Sequence, residues 1–453
     1  MFLSFIARRI GRALGIKPSV VRVIETAMNA GLVILLGLGT GILAARMLGP
    51  DGRGELASIL LGLQVASQMA ILGMQNASIY NIRQFPAETP TLVGGSYILT
   101  FLGSALCIVV GWVVIPYWLD DYSPAVVEAA KFAMLITPIW ALMLIAVAVM
   151  RAHNEFNIFL ATRVLTPTLT VTCLLFLFLA GNDSPIAAAA PYVLSYCVFL
   201  PWSMWWIDRH CHPRVRGSAA SMRKLLEYGS RSAGIDAVNV LSRFLDRLII
   251  VYLLAPSAVG LYVVAVNMAR PLNELGSAIT LVLFPKASSH EPEEAIALSG
   301  LAARLGLFAM AAIGAVLIVI APILLELCFG AEFVAAVAVF RWIVLAVILS
   351  ATGDILAQAF TATGRPGTVS ILRCIEIAIL AGLLLWLVPA YGMVGAAWAI
   401  TAVAAFRFVG VLVSFPLILG IWPPRLYITP HDLKRIRNVR AATPSNTQGK
   451  TGR

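Results

Sequence analysis

The chain has 453 residues, 60% of them hydrophobic and 12% charged. So little charge excludes an ordinary water-soluble domain and points to a membrane protein. The net charge of +11 is gathered in short segments between apolar runs, as in cytoplasmic loops, which argues against a nucleic-acid surface.

In chain order, residues 1–21 set Phe2, Phe5, Ile6, Ile10 and Leu14 against Arg8, Arg9 and Arg12. That pattern predicts a basic amphipathic segment lying on the cytoplasmic face. It lacks the apolar core and small-residue cleavage site of a signal peptide, so no cleavage is expected. Twelve stretches long enough to span a bilayer, about 20 residues each, follow at about 22–46, 55–82, 92–118, 125–150, 156–180, 185–207, 230–254, 257–285, 300–328, 334–362, 367–389 and 392–422. Arg209, Arg214, Arg216, Arg223 and Lys224 occupy the sixth-to-seventh connection, and Arg425, Lys434, Arg435, Arg437 and Arg440 the tail. The alternate loops are neutral or acidic, so both termini are expected in the cytoplasm.

The sequence repeats. MLGPDGRGEL (47–56) aligns with LLAPSAVGLY (253–262), which places Pro50 and Gly54 each 206 residues before Pro256 and Gly260. AHNEFNIFLATR (152–163) echoes ATGRPGTVSILR (362–373) at an offset of 210. The chain therefore reads as all-α and polytopic, with two parallel six-helix lobes at 22–207 and 230–422, a basic linker at 208–229 and a basic tail at 423–453. Parallel repeats of this kind leave a site where the lobes meet. Gly49-Pro50 and Gly54 read as a tight turn between spans one and two. A phosphate-cradling loop would need a preceding strand, and the second copy, APSAVG, carries no charge. Arg53 in that turn is placed to touch a headgroup when the outer side opens.

Charged groups inside spans usually face a cavity or one another. Asp236, Asn239, Arg243, Asp246 and Arg247 recur at steps of three and four on span seven and form one stripe. Asn267, Arg270, Glu274 and Ser277 repeat the pattern on span eight, with Pro271 expected to kink the helix. The first lobe contributes Glu25, Asn29, Gln64, Gln68 and Gln75. Arg163 and Arg373 are related by the repeat, and Arg83 sits at the cytoplasmic end of span two. Asp354 has no obvious partner, and Arg341 and Arg407 read as structural. Arginine forks suit phosphates, so the predicted substrate head is anionic. Six scattered cysteines and the adjacent His210, Cys211 and His212 lack metal-ligand spacing. Neither a metal nor a cofactor is expected.

With the turn ARMLGPDGRGELA (45–57), its partner at 253–271, LFPKAS (283–288) and PAYGMVGAAWA (389–399), the chain resembles the O-antigen type polysaccharide flippases of the multidrug/oligosaccharidyl-lipid/polysaccharide exporter superfamily, over about residues 20–420. The resemblance implies a V-shaped, MATE-like transporter of the bacterial inner membrane. It would move undecaprenyl-pyrophosphate-linked oligosaccharide from the cytoplasmic to the periplasmic leaflet for surface polysaccharide synthesis. Membrane lipids, a polysaccharide polymerase and chain-length machinery would be its partners. It further implies substrate contacts by Arg243, Arg247 and Arg270, with Arg83, Arg163, Arg373, Asn239 and Asn267 as further candidates. Coupling to a proton or sodium gradient would use Asp236, Asp246, Glu274, Asp354 or Glu25. The competing readings are a multidrug antiporter, whose cavity would carry acids; a lipid II flippase, a group that tends to have two more helices; and a polymerase or glycosyltransferase. The last is opposed by short outer loops, with the Asp120-Asp121 pair its one suggestive feature.

Overall fold

The computed structural model describes residues 18–287 and 292–427, without the side chains of 18–27, 156, 157, 159, 281, 282, 284–287 and 292. The basic N-terminal segment before residue 18, the tail beyond 427 and the Glu25 side chain lie outside this description. Among the described residues all regular structure is helical. The α-helices are α1 (Pro18–Met69), α2 (Met74–Gln84), α3 (Thr89–Trp118), α4 (Pro124–Met134), α5 (Thr137–Ala152), α6 (Phe156–Leu179), α7 (Pro185–Cys211), α8 (Ala219–Leu253), α9 (Pro256–Ala287), α10 (Pro292–Phe329), α11 (Val337–Ala362) and α12 (Pro366–Ser414). Proline opens many of them, where the missing N–H is an orphan in any case and the fixed φ is already helical.

Among the described residues, seven helical stretches are long and apolar enough to cross a membrane, or eight if the α4–α5 pair, bent by 44°, is one span. Two of the seven, Met28–Gln84 and Pro366–Leu419, have 57 and 54 residues, about 80 Å or more at 1.5 Å per residue and far beyond one bilayer. Each is divided by a glycine with positive φ, Gly49 (φ 65°) in α1 and Gly392 (φ 58°) in α12. The conformation there is one L side chains rarely adopt. Divided at these glycines, with α2 continuing the second half of α1, the helices correspond one to one with the twelve predicted spans. The two that fail on apolarity are α8 and α9, which carry the polar stripes. At Pro271 the helix is not interrupted, and α9 runs through it.

The internal repeat is visible in backbone detail. α5 ends with Glu155 N–H bonding to Met150 O (3.0 Å), Asn154 N–H to Arg151 O (3.2 Å) and His153 N–H to Val149 O (3.2 Å). α11 ends with Arg365 N–H to Phe360 O (2.8 Å), Gly364 N–H to Thr361 O (3.2 Å) and Thr363 N–H to Ala359 O (3.0 Å). Every donor and acceptor is displaced by 210 residues, and the left-handed position is Asn154 in one copy and Gly364 in the other. This is the usual helix C-terminal closure, and both residue types tolerate it.

The chain divides into two compact units. The first holds the described residues up to Pro271 with Val319–Ile343 and Arg373–Val403; the second holds Leu272–Ile318, Val344–Leu372 and the described residues from Ala404 onward. In the first, Ile71, Met74, Leu92, Ile145, Val149 and Leu225 belong to one buried cluster. There, too, the two copies of the repeated turn meet backbone to backbone: a methyl group on Gly54 would overlap the Pro256 carbonyl, and one on Gly260 would overlap the Pro50 carbonyl. In the second, Phe360 stacks edge-on against Phe415 at 4.9 Å. There Arg407, 7% exposed, pairs with Asp354, which supplies the partner that the sequence reading lacked.

Gly54→Ala is therefore expected to separate the two turns or destabilise the fold by about 1–3 kcal/mol, read as faster amide exchange in segments 48–57 and 253–262. Asp354→Asn should lower the melting temperature by several degrees, more than Asp354→Asn/Arg407→Met together, because the single change leaves the buried Arg407 guanidinium without its carboxylate.

Candidate functional site: a cationic cavity lined by repeat-related positions

A cavity of ≈ 200 Å³ lies within the first unit. The second half of α1 supplies Arg53, Ala57, Leu61 and Gln64, spaced 4, 4 and 3 residues apart and so on one helical face. α9 supplies Val259, Val263, Asn267 and Arg270, each 206 residues later. The first half of α1 adds Gly41, and α8 adds Arg247 at the same offset. The lining thus consists largely of repeat-related pairs in which a polar residue of one copy replaces a small or neutral one of the other: Arg247 for Gly41, Asn267 for Leu61, Arg270 for Gln64, Arg53 for Val259.

The small residues make the room. A methyl group on Gly37 would stand 3.8 Å from Arg270 Nη1, and one on Gly41 would stand 3.9 Å from Asn267 Nδ2. Tyr262, fully buried, donates to Asp246 Oδ2 at 2.7 Å. That bond fixes the α8 carboxylate beside Arg247 while leaving it out of the lining. Among the described residues, three arginines and no carboxylate line the space. Across a cavity of this size, about 7 Å wide, two such cations repel by about 2 kcal/mol at an effective dielectric constant near 20.

On either side of the cavity the first-copy and second-copy helices of this unit are tied together. Toward the turns, the Trp118 indole N–H donates to Leu248 O at 2.9 Å, beside the Pro50/Gly54 and Pro256/Gly260 contact. Toward the linker, Lys224 bonds to Glu88 at 2.7 Å and Tyr80 stacks on Tyr228 at 4.4 Å.

Of the residues singled out from sequence, Arg247, Arg270 and Asn267 line the cavity. Arg243 and Asn239, on the same stripe, are exposed and do not line it. Asp236 accepts from Gly73 N–H at 3.0 Å and from Asn76 Nδ2 at 3.3 Å, capping α2. Arg83 closes the other end of a helix, its Nε on Ala152 O (3.2 Å) and Nη2 on Arg151 O (2.9 Å) and Asn154 Oδ1 (3.0 Å). Both are the favourable charges for those helix ends. Arg163 is exposed on α6 and Arg373 half-buried on α12. Glu274 and Asp354 belong to the second unit. Near the linker, His153 Nε2 lies 3.1 Å from Cys211 Sγ, and burial lowers its pKa, which keeps the ring neutral at pH 7.

The residue that sequence reading underrated is Arg53. Assigned to a surface turn, it is 6% exposed and lines the cavity. The readable signal was its phase, since 53, 57, 61 and 64 share a face that ends on Gln64.

The model of a family described as "polysaccharide biosynthesis protein" matches residues 42–338. A comparison with curated proteins gives no match by sequence. Among solved structures, the fold is similar to "Lipid II flippase MurJ, inward closed conformation", at TM-score 0.76 and 12% identity, covering 94% of each chain. It is also similar to an inward-facing multidrug resistance MATE family transporter of the MOP superfamily, at TM-score 0.67 and 16% identity over 91% of this chain and 96% of that one. A MOP superfamily transporter from Pyrococcus furiosus, described as having a binding pocket of reverse polarity, matches at TM-score 0.58 and 15% identity over 92% and 95%. The fold is that of MOP-superfamily transporters, a polytopic all-helical membrane architecture, and on its sequence the chain belongs to the polysaccharide biosynthesis protein family.

Proposed function

We propose that this protein is a flippase that carries undecaprenyl-pyrophosphate-linked oligosaccharide from the cytoplasmic to the periplasmic leaflet of the bacterial inner membrane, for surface polysaccharide synthesis. The observation that carries this reading is a cavity lined, among the described residues, by three arginines and no carboxylate. Guanidinium forks match diphosphate oxygens bidentately, whereas a carrier of cationic drugs needs acids there. The volume equals about six or seven water molecules, room for a compact anionic head and not for an oligosaccharide. The glycan and the prenyl chain therefore lie outside this cavity in the closed state. Family membership supports a polysaccharide precursor as cargo, and the fold supports transport rather than glycosyl transfer.

Arg247, Arg270 and Asn267 are the head-group contacts in this reading. Asp246, held by Tyr262 beside Arg247, is the acid best placed to feel occupancy, and so the first candidate for proton or sodium coupling.

In cells lacking the protein, lipid-linked repeat units should accumulate on the cytoplasmic leaflet and surface polysaccharide should be lost. Arg247→Ala with Arg270→Ala should reproduce this at normal protein levels. Repeat units arriving in the periplasm unpolymerised would instead favour a polymerase. Gly41→Leu, which fills the space beside Asn267, is expected to abolish pyrophosphate binding by the purified protein in isothermal titration calorimetry, with its helical circular dichroism unchanged.

A further inference from the structure

Arg53 is held in a place that its fold does not require. The second copy builds the same turn with Val259 at the equivalent position, and Val259 lines the same cavity. The arginine is therefore dispensable for the turn as such. It is also costly where it is: 6% exposed, with a buried Nε that has no hydrogen-bond partner. A buried polar group is normally paired; this Nε is not, and it belongs to a side chain that lines a cavity with two more arginines and, among the described residues, no acid, so an anion in the cavity offsets the cost of burying the guanidinium.

Its position in the chain adds a consequence. Arg53 immediately precedes Gly54 and follows Pro50 by three residues, and these two residues make the backbone contact with the second copy's turn. No hinge separates the guanidinium from that contact, since both lie in the first turn of one helix. Bringing the turns together brings Arg53 toward Arg247 and Arg270; parting them withdraws it. Repulsion between Arg53 and Arg247 opposes the closed arrangement when the cavity is empty, and a multivalent anion reverses the sign of that effect. An anion that contacts all three arginines binds the closed arrangement more tightly than the open one and shifts the population toward it.

We propose that Arg53 is a diphosphate ligand that couples occupancy of the cavity to closure of the turn pair Pro50/Gly54 and Pro256/Gly260. This rests on the reading of the cavity as the head-group site and adds to it a residue and a gate. Closure would then accompany loading, and loss of the anion would itself drive the turns apart.

The test is hydrogen exchange of segments 48–57 and 253–262 in the full-length protein in nanodiscs, together with pyrophosphate affinity. Nanodiscs without ligand, with inorganic pyrophosphate and with undecaprenyl diphosphate in the bilayer are compared. In the wild type, ligand should slow exchange in both segments about five-fold or more. Slowing by both ligands would assign the effect to the diphosphate group alone, and slowing by the lipid form only would assign it to the lipid-borne head. In Arg53→Gln, pyrophosphate affinity should fall about ten-fold, equivalent to about 1.4 kcal/mol, and both segments should exchange slowly with or without ligand. Arg53→Lys keeps the charge without the fork, so it should keep the ligand response at reduced affinity, which also controls for folding. Wild-type affinity in Arg53→Gln, or an undiminished exchange response, overturns the proposal. If Arg247→Gln and Arg270→Gln lose binding while Arg53→Gln does not, the site stands and the coupling falls. If none of the three weakens binding, both fall.

Discussion

The contact on which the first unit depends is the meeting of two copies of one turn, with Gly54 on the Pro256 carbonyl and Gly260 on the Pro50 carbonyl. No side chain intervenes, so each glycine acts as a spacer of zero thickness and each proline opens the following helix at a defined angle. Because the two turns are so close, the helices that leave them, the second half of α1 and α9, run down opposite walls of one cavity in matching phase. Residues 206 apart consequently face the same space. The site is thus a product of the duplication as much as of any one helix.

Duplication alone would give a symmetric cavity, and this one is not. Each arginine has a repeat equivalent that concedes room or charge: Val259 for Arg53, Gly41 for Arg247, Gln64 for Arg270. Two copies of an arginine at one of these pairs would bring like charges together in a low dielectric. Dividing the cations among three pairs keeps the fork chemistry while spreading the charge, and the glycines at 37 and 41 admit the long second-copy side chains. Asp246 is held by Tyr262 and so balances charge nearby without entering the cavity.

Most other intramembrane charges have local duties. Asp236 caps the start of α2 and Arg83 the end of α5, where the orphan backbone groups of helix termini need partners; Arg407 and Asp354 satisfy each other. A charge is expensive in hydrocarbon, and a helix end or an opposite charge relieves that cost as effectively as a substrate does. This is why a polar stripe on α8 divides into one residue that lines the cavity, one that is held by Tyr262, one that caps a neighbour and two, Asn239 and Arg243, that are exposed.

The sequence by itself determined the helical spans, the turns between them and the repeat, because bilayer length, hydrophobic run and turn chemistry are local properties written in consecutive residues. It also determined that cations would gather on α8 and α9, and it singled out Arg247, Arg270 and Asn267, which line the cavity. It could not separate Arg247 from Arg243, one helical turn apart, since which face of α8 meets the cavity depends on the helices packed around it. It left Asp354 without its partner, 53 residues away in Arg407. It placed Arg53 in a surface turn, because only the approach of a second turn 206 residues later buries that guanidinium. Periodicity reports which residues share a face; what that face meets is a property of the packed chain.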